Sequence, residues 1–197
     1  MSAYQVGRPA IREAMQNLQW MGLVDIRHGE RPRVAEPSME GMVEQIAESM
    51  RHLLMHSATT MQHLKEARAA FETQMARAAA ESRTDDDVAR LRETLERQRL
   101  QAATPDRFLE EDAAFHRMVA SIGGNPIFES LSFALFNWLA QFHVDFVQSP
   151  GLEKLVLEEH GMILDAIEAG DPDRAGNAMR DHINRANRLY SQANLDI

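Results

Sequence analysis

"VGRPAIREAMQNLQWMGLVDIRHGERPRV", residues 6–34, changes its hydrophobic period partway along, and that change decides how the opening of the chain is built. In its first half Ile11, Met15, Leu18 and Met21 recur at steps of four, three and three, an inward helical stripe, while Arg8, Arg12 and Gln16 share another face. Pro9 suits a first helical turn, where its φ is preset and its missing N–H would be unpaired anyway. Gly22 then stops the helix, "LVDI" (23–26) alternates as a strand does, His28-Gly29 begins a turn, and Arg33-Val34 returns as a second strand. The spacing predicts a short helix with two arginines near its start, followed by a hairpin.

Such a helix and hairpin make up the second half of a winged helix-turn-helix, in which the helix lies in the major groove and the wing touches phosphate or the minor groove. A capped amphipathic helix followed by a hairpin that reads no DNA has the same pattern. The net charge of −9 over 197 residues disfavours nucleic acid as a whole, but the charge is divided. Residues 1–37 balance to +1, so the rest of the chain holds −10. We therefore expect a small domain over 1–37 and a second, acidic one over 38–197.

The absence of cysteine excludes disulfides and thiolate metal sites and suits a reducing compartment. No apolar run approaches a membrane span and no charged-then-apolar leader opens the chain, so a cytoplasmic protein without a membrane partner is expected. Past "AEPS" (35–38) the pattern is helical to the end, with helices expected at 39–56, 60–81, 85–101, 106–122, 126–147, 151–169 and 172–193. Short connections predict that successive helices pack antiparallel. The expected fold class is mostly α: a partial winged helix-turn-helix followed by an all-helical antiparallel bundle.

Several ionisable residues of the second part lie on apolar faces. Phe108, Phe115, Val119 and Ile122 form one stripe, and Asp112 and His116, one turn apart, sit on its edge facing inward together. His160 lies in line with Val156, Ile163 and Ile167, and His182 is flanked by Ala178, Met179, Ala186 and Leu189. One carboxylate and three imidazoles aimed into one bundle suit zinc, with nickel or manganese as alternatives, although a single inward histidine is often only a hydrogen-bonded core residue. Glu111 and Glu159 neighbour these positions but are read as facing other sides of their helices. His52 and His56 are read as a solvated or interface face, and His143 as lying at the margin of the stripe through Leu135 and Leu139. Arg68 shares a narrow face with Leu64, Phe71, Met75 and Ala78, so its guanidinium points into the bundle. There it either pairs with Glu72, one turn on, or meets an anionic ligand suited to its planar fork.

The opening stretch closely resembles the recognition helix and wing of the GntR superfamily of bacterial transcription regulators. That resemblance makes Arg8 and Arg12 candidate DNA contacts, with Arg31 in the wing beside them. Family members carry a first helix, a small strand and most of a second helix ahead of this point, where this sequence has "MSAYQ". The chain as written is therefore expected to bind operator DNA weakly or not at all. The segments "LKEARAAFETQMARAAA" (64–80), "EEDAAFHRMVASIGGNPIF" (110–128) and "EEHGMILDAIEAGDPDRAGNAMRDHI" (158–183) resemble the ligand-sensing FCD domain of the FadR subgroup.

By that resemblance Asp112, His116, His160 and His182 are the metal ligands, and Arg68 is the arginine of the pocket for a small carboxylic acid. The phrases "VGRP", "HGERPRV", "EPS" and "GNPIF" are most similar to members that govern sialic acid catabolism. A sugar acid such as N-acetylneuraminate is the first expected effector, with uronates, aldonates and lactate-like hydroxy acids behind it. The resemblance implies a dimeric repressor of palindromic operators that is not an enzyme. The competing reading is a metal-dependent hydrolase in which a site of one aspartate and three histidines activates water. Against it, the sequence aims no clear general base at the site, and a hydrolase leaves residues 1–37 unexplained.

Overall fold

In the computed structural model, residues 6–27, 29–36, 38–147 and 152–193 are described. The chain divides into two compact units, Met1–His52 and Leu53–Ile197. Within the first, α1 (Arg8–Trp20) begins behind Gly7, with Pro9 in its opening turn. It ends as its sequence directs. Gly22 takes a φ of 69°, its N–H bonds to the Gln19 carbonyl at 2.9 Å, and the Leu23 N–H reaches back to Leu18 at 2.9 Å. This glycine-centred stop turns the chain into β1 (Val24–Asp25), which pairs antiparallel with β2 (Arg33–Val34), Val24 opposite Val34 and Asp25 opposite Arg33. Ile11, Met15 and Leu18 are half-buried as the periodicity requires. Met21 is not part of that stripe: it is the residue that caps the helix and is 56% exposed. Of the expected turn, Gly29 is described, with a φ of 80°, while His28 lies outside the described residues.

α2 (Met39–His56) starts with the Ser38 Oγ accepting the Gly41 N–H at 3.0 Å, and the division between the two units falls within this helix. The second unit continues with α3 (Ala58–Ser82), α4 (Asp85–Leu100), α5 (Pro105–Ser121), α6 (Pro126–Val147), α7 (Leu152–Ala169) and α8 (Pro172–Ala193). Their starts are written locally. Ser57 caps α3, which therefore begins two residues ahead of the expected position 60, and Thr84 and Asp87 close a capping box on α4. Prolines open α5, α6 and α8. The connection expected between the helices ending at 147 and starting at 151, and the side chain of His143, lie outside what is described. Among the described residues no helix is long and apolar enough to cross a membrane.

The all-helical bundle is as expected, but its neighbours are not simply successive. α3 packs chiefly on α8, and α4 packs on both α5 and α7, while α3 and α4 touch little although two residues join them. The reason lies in which faces are apolar and small. The buried face of α3 runs through Leu64, Arg68, Glu72, Ala76 and Ala79, not through Phe71, Met75 and Ala78, which stay half-exposed. Its fully buried alanines let α8 approach closely, and Gly176 of α8 lies against the side chain of Arg77. Phe115, Leu91, Ile163, Ile167, Met179 and Ile183 fill the centre with little or no exposure.

Gly170 holds the turn between α7 and α8 at a φ of 66°, with the Arg83 guanidinium within 3 Å of where a Cβ would stand. Gly170→Ala is expected to destabilise the protein by about 1–2 kcal/mol through the left-handed backbone alone, and Gly123→Ala, where a Cβ meets nothing, by less than about 0.5 kcal/mol. Equilibrium urea denaturation of the two variants checks the difference.

Candidate metal centre

Three helices bring one imidazole each to a common point. His116 comes from α5, His160 from α7 and His182 from α8, and they are 1%, 0% and 4% exposed. The Nε2 atom of His182 lies 3.3 Å from Nε2 of His160 and 3.3 Å from Nε2 of His116. Among the described residues these three form a group whose candidate donor atoms all lie within 4.8 Å of one another. Asp112, one turn before His116, places its Oδ1 3.5 Å from the His160 Nε2. Phe115 stacks on the His160 ring at 4.0 Å between centroids and 8° between planes, so the ring plane is fixed by packing.

Each ring is also fixed from behind. His160 Nδ1 faces the Oε1 of Gln98 at 2.8 Å, His182 Nδ1 faces a Glu159 carboxylate oxygen at 2.7 Å, and His116 Nδ1 pairs with Glu72. An oxygen at each Nδ1 assigns the proton there, which leaves each Nε2 a lone pair. Three lone pairs gathered this closely, with His182 Nε2 at 3.3 Å from each of the other two, have no proton to share and repel. A cation among them removes that repulsion. An N···N separation of 3.3 Å suits two nitrogens on one divalent first-row ion with bonds of about 2.0–2.1 Å. The donor set and its backing therefore fit such an ion.

The backing carboxylates are themselves anchored. Arg68 Nε donates to Glu72 Oε1 at 2.6 Å, and Arg185 donates to Glu159 through two bonds of 2.6 and 2.5 Å. Burial opposes ionisation of Glu72, but Arg68 and His116 outweigh it and hold its carboxyl down at about 2. For Glu159 burial is likewise outweighed by hydrogen bonds from His182 and Arg185, which keep it below the usual carboxylate range. Burial pushes His160 well below the ordinary imidazole value, and neighbouring His182 and His116 push it further. His182 is lowered by burial against the opposing hydrogen bond from Glu159.

The four expected ligand positions are thus brought together in one buried place. Arg68 is inside as expected, 3% exposed and lying over the Phe136 ring at 4.9 Å, and of its two readings the pairing with Glu72 is present. Glu159 is a correction: it does not face away from the site but meets His182, because α8 packs against the side of α7 that the position before His160 presents. Glu111 does lie elsewhere, paired with Arg97 at 3.1 Å. The sequence reading missed Gln98, Glu159 and Arg185 as parts of the site. A buried amide among charged neighbours on α4 was the one signal for Gln98, and none distinguished Arg185 from the other arginines of α8. Arg8, Arg12 and Arg31 are exposed in the first unit, Arg8 and Arg12 one turn apart at the start of α1. His52, His56 and His63 are exposed and take no part in the centre.

Glu72 is buried and Glu159 half-buried, and their oxygens face the Nδ1 atoms of His116 and His182 and the guanidinium groups of Arg68 and Arg185, so neither stands as a base toward the point where the three Nε2 atoms meet. The helical unit thus holds a buried polar centre, and α2 runs from it into the unit of helix and hairpin. The FCD domain matches residues 63–185. The HTH-type transcriptional repressor NanR of Cronobacter sakazakii is 36% identical over 186 residues, covering 93% of this chain and 71% of its own length. NanR of Salmonella schwarzengrund is 36% identical over 192 residues, covering 96% of this chain and 73% of its own. The fold is shared with Streptococcus agalactiae GntR at a TM-score of 0.66 and 23% identity, over 95% of this chain and 84% of that one. It is shared also with a GntR-family regulator of Pseudomonas syringae at a TM-score of 0.54 and 20% identity, over 95% of this chain and 71% of that one. The chain belongs to the GntR family of transcription regulators, in the group that carries an FCD domain, and is similar to NanR; it is a regulator and not an enzyme.

Because the buried imidazoles of His160 and His182 resist protonation, the unfolded chain binds more protons than the folded one below about pH 6.5. Their contribution to stability is intact above that value and is lost as the pH falls toward their lowered folded values, whereas Glu72 holds until far lower pH. The melting temperature of metal-free protein should therefore be level near pH 7.5 and fall progressively from about pH 6.5 to 5. A level profile over that whole range would contradict the buried neutral imidazoles.

Proposed function

We propose that this regulator is a metal-dependent sensor of a small carboxylic or sugar acid, and that the metal is held by Asp112, His116, His160 and His182. The observation that carries the reading is the convergence of three Nε2 lone pairs in a buried site whose Nδ1 atoms are all engaged from behind. Zinc suits three imidazoles and a carboxylate, with nickel and manganese as alternatives. A divalent ion bound there supplies positive charge and open coordination positions for the oxygens of an effector. Arg68 adds the guanidinium charge that an effector carboxylate meets, and its bond to Glu72 ties that charge to the backing of His116.

N-acetylneuraminate is the first effector we propose, supported by the likeness to NanR and by the arginine beside a polar centre. Effector binding favours one arrangement of the helices, and its coupling to DNA is reciprocal. α2, which spans the division between the two units, is the covalent connection through which that preference acts. Arg8 and Arg12 at the start of α1 contact the bases, and Arg31 contacts the backbone from the hairpin. We propose that the chain works as a homodimeric repressor in the cytoplasm, since two-fold dimers match palindromic operators.

Elemental analysis combined with thermal melts tests this. Close to one zinc, nickel or manganese per chain is expected, lost in His160→Ala, together with a melting temperature that N-acetylneuraminate raises only in the metal-loaded form. Protein that takes up no stoichiometric metal after dialysis against each of the three ions would overturn the metal reading. A melt that responds to another sugar acid and not to N-acetylneuraminate would replace the effector and leave the site.

A further inference from the structure

α4 supplies none of the four candidate ligands, yet it buries an amide completely at the centre's edge: Gln98 is 0% exposed. A buried amide needs partners at both ends. Gln98 has them, and both are candidate ligands. Its Nε2 donates to Asp112 Oδ1 at 2.9 Å, and its Oε1 faces His160 Nδ1 at 2.8 Å. We propose that Gln98 is a positioning residue that sets Asp112 and His160 together for metal binding, an inference that rests on the metal reading above.

The chemistry of an amide makes the two contacts one decision. An ionised carboxylate can only accept, so Asp112 claims the N–H end of Gln98. That turns the oxygen end toward His160, which places the imidazole proton on Nδ1 and the lone pair on Nε2. The opposite orientation would set two oxygens 2.9 Å apart at Asp112 and would turn the His160 proton toward the other imidazoles. The orientation of the Gln98 amide between Asp112 and His160 thus fixes which nitrogen of His160 is available.

The residue type is also specific. Glu72 and Glu159 back the other two histidines, and their oxygens are spent on guanidinium and imidazole N–H groups, whereas Gln98 reaches two ligands at once. At position 98 a carboxylate could still accept from His160 but could not donate to Asp112, and would instead bring a second negative charge against it. Only a group that donates at one end and accepts at the other serves both ligands.

The test is zinc affinity measured by competition with a chromophoric chelator, on the full chain and on Gln98→Met, Gln98→Glu, Asp112→Asn and the double variant Gln98→Glu/Asp112→Asn. We expect Gln98→Met and Gln98→Glu each to bind zinc about 10–100-fold more weakly. We expect the cost of Gln98→Glu to shrink severalfold in the Asp112→Asn background, where the new amide can donate to the new carboxylate. Metal-free melts of each variant identify any loss of fold, and a general packing defect would not be relieved by the second substitution. Wild-type protein that binds zinc while Gln98→Glu binds as tightly or more tightly would overturn the positioning role alone, since it would leave Gln98 as no more than a backing for His160. Equal and additive losses in the double variant would also overturn it. Wild-type protein that binds none of zinc, nickel and manganese would overturn the positioning role and the metal reading together.

Discussion

Three nitrogen lone pairs pointed at one another inside a protein are an unfavourable arrangement that nothing local would produce. His116, His160 and His182 reach it because each ring is held by the oxygen behind its Nδ1, and each of those oxygens belongs to a group that is held in turn. Arg68 anchors Glu72, Arg185 anchors Glu159, and Asp112 anchors Gln98. Five helices contribute to this one arrangement, so moving any of α3, α4, α5, α7 or α8 would unfasten at least one imidazole.

The same arrangement explains why charge can be buried here at all. A lone carboxylate or guanidinium in a helical core is costly, whereas a guanidinium, a carboxylate and an imidazole N–H in series satisfy one another. Two such series, Arg68–Glu72–His116 and Arg185–Glu159–His182, enter the core from opposite partners of the α3 and α8 packing. The third imidazole is backed by a neutral amide, which keeps the count of negative groups near the centre from rising further. The alanines of α3 make room for this polar core by letting the backbones of α3 and α8 approach while the long side chains reach past them.

Much of this was legible in the sequence, for reasons that can be named. Helix starts are local events, set here by Ser57, Thr84 and the prolines at 105, 126 and 172, so the expected starts at 60, 85, 106, 126 and 172 fall within two residues of those observed. Inward-facing ionisable residues break a hydrophobic stripe at helical spacing, so Asp112, His116, His160 and His182 stood out within their own helices. Residues that approach from a neighbouring helix leave no such mark. Glu159 follows no stripe in α7 and looks solvent-facing until α8 covers it, and Gln98 and Arg185 acquire their partners across the bundle. The buried face of α3 was misplaced by about one position, because Phe71 and Met75 are more apolar than Glu72 while the packing partner, α8, selects the side with the small residues.

The sequence by itself determined the helices, the helix and hairpin of the opening stretch, and the four residues able to converge, since these depend on contacts within a few positions along the chain. It could not determine which helix lies against which, because short connectors permit α3 to meet either α4 or α8. Only the tertiary structure decided that α3 packs on α8 and α4 on α7, and with that which oxygen stands behind each imidazole. The lone pairs at the centre follow from those oxygens, and a hydrogen bond between helices is fixed by packing, not by the order of residues along one of them.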